Sequence, residues 1–472
     1  MLQLAMAEIY LYNSLTRKKE VFSPINPPEV GIYACGPTVY DYQHIGNMRR
    51  YVGDDILRRT LERGEYEVKY VMNVTDVGHL TSDADTGEDK LEKSAREQGK
   101  SAYDIAKFYE DNFFEQSEAL NIRRPDIVCK ATEHIKEQIE MIGEIEKNGF
   151  TYKTDDGIYF DTSKLSDYSK LSGGKEGIRP GARVDIAGKR HPTDFALWKF
   201  SPKDSKRQME WESPWGVGFP GWHIECSAMS RKYLGETFDI HTGGVDHVAI
   251  HHTNEIAQSE GATGKLPARF WMHHEFLQVD GGKMAKSLGN IYTVADVINK
   301  GYEPLALRYL FLSAHYRDPL NFTWDNLRGA QTSLEKLRLL VSGFTQQEKR
   351  SALSAEKNEK IGAFRADFTL ALNDDLNTAK ALAVLWEMAK SNIPSTDKYD
   401  LAISFDEILG LGLKDTQVKE IKIPEIVQNL VEEREKLRGE GKFAEADEVR
   451  GKIEAEGFLL EDTPQGPKVK PQ

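Results

Sequence analysis

Three segments decide the fold: the apolar run EVGIYACG (29–36), the stretch HIGNMRRYVGDDILRRTLERG (44–64) and the run YEVKYVMNVTD (66–76). The first segment ends at a Gly-Pro pair, which is a strong turn signal. The second has apolar residues at helical spacing and closes on Gly64, and the third alternates as a strand does. This strand–helix–strand unit predicts two parallel strands joined by a right-handed crossover.

Polar and small residues follow both predicted strands. Cys35 and Gly36 come after the first strand, and Thr75 comes after the second. Ligands of open parallel sheets bind beyond the carboxyl ends of the strands. His44 lies where the helix begins, and free N–H groups at a helix start attract anions, while Gly46 allows close approach. The sequence therefore predicts a ligand site at this edge, suited in part to a phosphate chain.

Bulk composition limits the class of protein. The chain has 472 residues, a formal net charge of −13 and three cysteines. Single cores rarely exceed about 250–300 residues, so we expect several domains. The charge argues against a general polyanion binder but allows a local basic surface. Three features predict a cytoplasmic protein without a membrane span. Cysteines are sparse, no apolar run approaches 18 residues, and the sequence shows no signal peptide.

A second group of residues suggests a metal site. Cys226 lies in GWHIECSAM, and IHHTNEIAQS follows with His251 and Glu255, which share one face if the segment is helical. A thiolate, an imidazole and a carboxylate are zinc ligands, and Cys35 offers a fourth from the neighbouring strand end. Buried free cysteines beside a solvated helix face are the alternative. These residues alone leave both interpretations open.

A third segment, VDGGKMAKSLGN (279–290), places Lys283 and Lys286 beside two glycines. Lysines in a cationic loop can neutralise charge that develops on departing pyrophosphate. For this segment alone, an ordinary solvent-exposed loop explains the pattern as well.

Taken together and in this order, HIGN and KMAKS resemble the HIGH and KMSKS signatures of class I aminoacyl-tRNA synthetases. The surrounding segments YACGPTVYD, GWHIECSAM, GGVD, HHTNEIAQS and LLEDTPQG resemble the cysteinyl-tRNA synthetase family in particular. The resemblance covers nearly the whole chain, with its segments in the order of the family.

This resemblance implies an α/β fold with a parallel-sheet Rossmann-like catalytic domain, an α+β insertion and C-terminal helical domains. The implied boundaries are 1–122 and 201–292 for the two catalytic halves, 123–200 for the insertion, 293–355 for a helical stem, 356–420 for a tRNA-binding helical bundle and 421–472 for a small anticodon-binding module.

The resemblance also implies the ligand sets, which follow here by role. Zinc would be held by Cys35, Cys226, His251 and Glu255. The amino acid would contact Gly36, Thr75 and Trp222. ATP, accompanied by Mg²⁺, would contact His44, Asn47, Asp246 and Lys286, with Lys283 assisting. Because zinc prefers a thiolate to a hydroxyl, such a site would select cysteine over serine without editing.

The implied reaction joins L-cysteine to ATP as cysteinyl-adenylate and transfers the cysteinyl group to the 3′-terminal ribose of tRNA-Cys, in a protein expected to be monomeric. Asn47 replaces the final histidine of HIGH, Ala285 replaces a serine of KMSKS, and the terminal PKVKPQ departs from the family pattern. Two alternatives remain: a related ligase that joins cysteine to an amino-sugar, and an inactive RNA-binding paralogue.

Overall fold

A computed structural model describes residues 8–78, 89–173, 188–202, 207–284, 288–344, 353–414, 424–463 and 466–471. The chain divides into two compact units, Met1–Thr416 and Gln417–Gln472. Among the described residues, no helix combines the length and the apolar character that a bilayer crossing requires.

The strands are β1 (Tyr10–Asn13), β2 (Lys18–Val21), β3 (Glu29–Ala34), β4 (Glu67–Val74), β5 (Ile127–Lys130), β6 (Thr151–Lys153), β7 (Gly157–Phe160), β8 (Phe195–Phe200), β9 (Gly218–Pro220), β10 (Phe238–Gly244), β11 (Ala268–His274), β12 (Leu277–Val279), β13 (Leu320–Phe322), β14 (Phe458–Thr463) and β15 (Gly466–Pro471).

The α-helices are α1 (Ile45–Arg63), α2 (Lys90–Gln98), α3 (Ala102–Ala119), α4 (Ile135–Lys147), α5 (Trp222–Leu234), α6 (Val245–Val248), α7 (His251–Thr263), α8 (Val294–Asn299), α9 (Pro304–Leu312), α10 (Trp324–Phe344), α11 (Ala355–Asn373), α12 (Thr378–Lys390), α13 (Ser395–Leu409), α14 (Glu425–Gly439) and α15 (Phe443–Ala455).

A five-stranded parallel sheet forms the centre of the first unit, in the order β11-β10-β3-β4-β5. The predicted unit of two parallel strands joined by a helix is confirmed, because β3 and β4 pair in parallel, with Ala34 opposite Met72, and α1 connects them. The apolar face of α1, including Met48, Val52 and Ile56, is buried in the main core. The predicted α/β class with a parallel sheet and C-terminal helices is therefore confirmed.

A second, four-stranded antiparallel sheet has the order β6-β7-β8-β9. A turn at Asp156-Gly157 joins β6 to β7, and Ile142 and Ile145 of α4 pack into the core beside this sheet. Strand β9 continues the sheet to Pro220.

Helices α10 to α13 pack beside α9 and α1 within the first unit. Asp375, in the turn between α11 and α12, accepts hydrogen bonds from the Tyr12 backbone N–H (2.8 Å) and the Tyr316 hydroxyl (2.7 Å). These buried contacts tie the helices to β1 and to the segment that precedes β13.

The second unit consists of α14, α15 and the β14–β15 hairpin around a small core. The buried residues of this small core are Val427, Val449, Ile453 and Leu460.

Candidate active site and metal centre

A large cleft opens at the carboxyl edge of the central sheet. Its walls come from the loop after β3, from α6 after β10 and from the residues that follow β11. The cleft encloses ≈ 1310 Å³, more than the roughly 300–1,000 Å³ of a typical small-ligand pocket. Six predicted site residues line it: Gly36, His44, Asn47, Trp222, Asp246 and Lys283.

His44 and Asn47 cap the first turn of α1 reciprocally. The Asn47 backbone N–H donates to His44 Nδ1 at 3.1 Å, and the His44 backbone N–H donates to Asn47 Oδ1 at 3.2 Å. Because Nδ1 accepts this bond, the proton of a neutral His44 ring lies on Nε2, which makes Nε2 a hydrogen-bond donor. His44, Gly46 and Asn47 line the cleft, so the positive end of the α1 dipole lies there, which favours an anion.

Gly36 occupies a position that only glycine fits. A Cβ built there would lie 1.5 Å from the Asn73 carbonyl oxygen, and the Gly36 N–H donates to Asn73 Oδ1 at 2.7 Å. Thr75 lies beneath the same loop, where its backbone pairs with Pro37 and Val39. Thr75 is 2% exposed and is not among the residues that line the cleft.

The four predicted metal ligands meet beside the cleft, whose lining includes their chain neighbours Gly36 and Ile250. Cys35 follows β3, Cys226 lies in the second turn of α5, and His251 begins α7 one turn before Glu255. All four are buried, and their donor atoms lie within 4.8 Å of one another. His251 Nε2 and Glu255 Oε1 are 3.0 Å apart, which confirms the helical i,i+4 arrangement.

Without a metal this cluster is close to charge balance, because, against the effect of burial, Glu255 raises the pKa of His251 to about 10. Burial raises the pKa of the Cys35 thiol, and the adjacent Cys35 thiol together with burial raises the pKa of Cys226 well above its usual value. Burial also disfavours the Glu255 carboxylate, but His241 and His251 hold its pKa below its usual range. A bound divalent cation would stabilise the thiolates, since metal ligation requires deprotonated cysteine. Two sulfurs, one imidazole and one carboxylate fit Zn²⁺.

Further histidines surround the cluster, and the sequence analysis did not identify them. His241 Nε2 lies 2.8 Å from Glu255 Oε2, and His252 Nε2 lies 3.3 Å from Cys35 Sγ. A second possible donor set, Cys35, His241, His252 and Glu255, shares two members with the first. The histidines in the segments HTGG and HHTN were the feature of the sequence that could have indicated these extra side chains. Only the order of the strands in the sheet brings His241 close to α7.

The remaining predicted residues occupy the cleft walls. The centroids of the Trp222 and His251 rings are 4.6 Å apart. Asp246 is exposed in the short helix α6, and Lys283 is exposed in the loop after β12. Lys286 lies outside the described residues. The structure therefore brings the metal cluster, the start of α1 and Lys283 to one cleft.

Arg50 connects two parts of the site and was not predicted. From the second turn of α1, its guanidinium donates to the Cys35 carbonyl oxygen and, at 3.1 Å, to Asp54 Oδ2. The side chain is buried and forms part of the cleft wall. Only the fold reveals this role, because Cys35 and Arg50 lie on different elements.

A parallel sheet whose HIGN helix borders one cleft together with Lys283 and Met284 is the architecture of class I aminoacyl-tRNA synthetases. The family model described as "tRNA synthetases class I (C) catalytic domain" matches residues 21–332, and a DALR domain model matches residues 367–392. Among solved structures, methionyl-tRNA synthetase of Mycobacterium tuberculosis in complex with methionyl-adenylate is similar, with a TM-score of 0.55, 15% identity and coverage of 81% of this chain and 90% of that chain. This likeness concerns the fold alone.

Curated relatives match over nearly their full length. "Cysteine--tRNA ligase 1" of Burkholderia lata is 50% identical over 461 residues, which cover 97% of this chain and 96% of the relative. "Cysteine--tRNA ligase" of Treponema denticola is 47% identical, with coverage of 96% and 97%. The chain belongs to the cysteine–tRNA ligase family of class I aminoacyl-tRNA synthetases.

Proposed function

We propose that this protein activates L-cysteine with ATP, releases pyrophosphate, and transfers the cysteinyl group from the adenylate to the 3′-terminal ribose of tRNA-Cys. One observation carries the proposal: the buried cluster of Cys35, Cys226, His251 and Glu255 lies next to the cleft that α1 borders, with the His251 ring in contact with Trp222 of the cleft wall. An anion site and a thiol-selective site in one cleft suit the joining of a nucleotide to cysteine.

The nucleotide end of the cleft acts by positioning and by charge stabilisation. His44 Nε2–H and the Asn47 side-chain amide hold the ATP phosphates, and the Asn47 backbone N–H keeps the His44 ring oriented. Lys286 and Lys283 stabilise the charge on the departing pyrophosphate, and Asp246 binds the nucleotide. The cysteine carboxylate then attacks the α-phosphorus in line, and the bond to pyrophosphate breaks. Such preorganised positioning accounts for most of the acceleration in phosphoryl and related transfers.

The amino-acid end selects the substrate. Cys35, Cys226, His251 and Glu255 would hold a zinc ion, which when bound coordinates the thiolate of the substrate and leaves serine without an equivalent contact. Gly36 and Trp222 flank the bound cysteine, and Thr75 supports the Gly36 loop from beneath. Mg²⁺ would enter with ATP, because the phosphates supply most of its ligands.

The domains that follow the catalytic core would bind tRNA. The helices of residues 356–420 and the module at 421–472 would contact the tRNA, including its anticodon. Residues 123–200 would form a domain inserted between the catalytic halves 1–122 and 201–292. Residues 293–355 would form the stem. We expect a cytoplasmic monomer.

The test measures cysteine-dependent ATP–pyrophosphate exchange, serine-dependent exchange and zinc content on one sample, followed by charging of tRNA-Cys. Exchange with cysteine alone, near one zinc per chain, and charged tRNA are expected. An enzyme that forms the adenylate but charges only an amino-sugar would contradict the tRNA step. A zinc-loaded protein without exchange would instead be a non-catalytic paralogue.

A further inference from the structure

A small aromatic patch lies at the wall of the cleft. It consists of Tyr42, in the loop between β3 and α1, and of Phe108 and Tyr109 on α3. The ring centroids of Tyr42 and Phe108 are 6.1 Å apart with an interplanar angle of 76°, and those of Tyr42 and Tyr109 are 5.0 Å apart at 88°. The three rings therefore pack edge to face as one group, which is a favourable aromatic arrangement.

Two members of the aromatic patch are open to solvent. Tyr42 is 47% exposed and Phe108 is 43% exposed, whereas Tyr109 is largely buried beneath them. The Lys100 ammonium lies 5.3 Å from the centre of the Phe108 ring. Exposed apolar side chains are ordinary when scattered, but grouped rings beside a cation form a binding surface for flat, electron-rich groups.

The position of the aromatic patch indicates which part of a bound substrate would cover it. Tyr42 lines the cleft two residues before His44, while Phe108 lies beyond the cleft lining. The patch therefore continues the substrate cleft outward, and a ligand that covers it must extend past the nucleotide at the start of α1. In the proposed reaction, the terminal ribose of the tRNA enters this cleft, and unpaired nucleotides precede it.

We propose that Tyr42 and Phe108 form a stacking platform for the unpaired 3′-terminal nucleotides of the acceptor tRNA. Aromatic side chains with a neighbouring cation are the recurrent means of binding single-stranded nucleic acid, because every base offers a ring face. The platform holds the strand so that its terminal ribose reaches the adenylate. This inference rests on the proposed tRNA-ligase function.

The test is a binding cycle with two RNA probes: the full tRNA-Cys transcript, and the same transcript without its last three unpaired nucleotides. Wild-type protein should bind the full transcript about 10-fold more tightly than the truncated one, the effect of losing about one stacked base. Phe108→Ala should bind the full transcript about 10-fold more weakly than wild type and the truncated transcript equally well. Phe108→Tyr should restore the wild-type pattern.

A matched control is Tyr103→Ala. Tyr103 is 49% exposed on the same helix and lies about 140° around it from Phe108. We expect Tyr103→Ala to bind both RNAs as wild type does. Thermal midpoints and zinc contents of all variants show whether they fold equally.

Three outcomes would overturn the platform: Phe108→Ala binding both RNAs as wild type does, Phe108→Ala weakening both equally, or Tyr103→Ala weakening the full transcript as strongly. Failure of the wild-type protein to charge tRNA would instead refute the proposed function. Normal charging by wild type together with any of the three outcomes would refute the platform alone.

Discussion

Substitutions of Asn47 can separate helix capping from phosphate binding. The Asn47 side chain takes part in one of the two reciprocal capping bonds, in which Oδ1 accepts from the His44 backbone N–H at 3.2 Å. The other bond uses the Asn47 backbone and survives substitution. Asn47→Ala should therefore lower the free energy of unfolding by about 1 kcal/mol, the usual effect of losing a cap hydrogen bond. Exchange should fall about 10-fold, because one polar contact worth about 1.4 kcal/mol is lost.

Asn47→Asp gives the opposite combination. The new carboxylate still accepts the capping bond, and a negative charge at a helix N-terminus stabilises by about 0.3–1 kcal/mol. The same charge would face the ATP phosphates across the cleft. Two like charges about 5 Å apart, at an effective dielectric constant near 20, repel by about 3 kcal/mol, which corresponds to about 100-fold in rate.

Urea unfolding and cysteine-dependent pyrophosphate exchange measure the two effects independently. Stability should rank Asp at least equal to Asn, with Ala lowest, whereas exchange should rank Asn highest and Asp lowest. Asn47→His, which restores the HIGH signature, should keep exchange near the wild-type rate. If the stable Asn47→Asp variant exchanges at the wild-type rate, Asn47 does not face the phosphates and the assignment is refuted.

Three further substitutions test the metal cluster, the Gly36 loop and the pH dependence of stability. Cys226→Ser should reduce zinc content and discrimination against serine, since a hydroxyl is a poor zinc ligand; full zinc in a metal assay with unchanged discrimination would contradict this. Gly36→Ala would force a Cβ to within 1.5 Å of the Asn73 oxygen, so the thermal midpoint should fall by several degrees and KM for cysteine should rise; wild-type melting would exclude this close approach. Burial raises the pKa of Asp76 from 3.8 to about 6, so the folded state binds its proton more tightly and stability falls as pH rises from about 4 to about 6. Asp76→Asn keeps an acceptor for Thr132 and should flatten that slope in urea midpoints, whereas an unchanged slope would assign it to other groups.

Short-range patterns made part of the site predictable. The strand–helix–strand unit could be recognised because its apolar spacing lies within continuous segments, and parallel pairing then placed Cys35 and Thr75 at one edge. Helical spacing likewise related His251 to Glu255, whose side chains are in contact. Each of these inferences needed only one element, or two elements joined by a single crossover.

Long-range pairing explains what the sequence did not reveal. His241 reaches Glu255, and His252 contacts His273, because β10 lies between β3 and β11, an order that no local pattern encodes. The β1–β2 hairpin escaped prediction because its turn contains Arg17, a non-glycine residue with φ of 58°, in place of the usual glycine signal.

The two ends of the site are mechanically linked through α1. Its first turn lines the cleft, and Arg50, in its second turn, donates to the Cys35 carbonyl oxygen. Asp54, one turn further, anchors the guanidinium at 3.1 Å in a buried ion pair. The ion pair fixes the guanidinium on α1, and its hydrogen bond to the Cys35 carbonyl oxygen, of a charged type worth about 1.5–3 kcal/mol, resists separation of α1 from the Cys35 strand end. The spacing between the proposed phosphate site and the proposed thiol site is therefore set by one helix, which suits an in-line attack whose two reactants bind at those two ends.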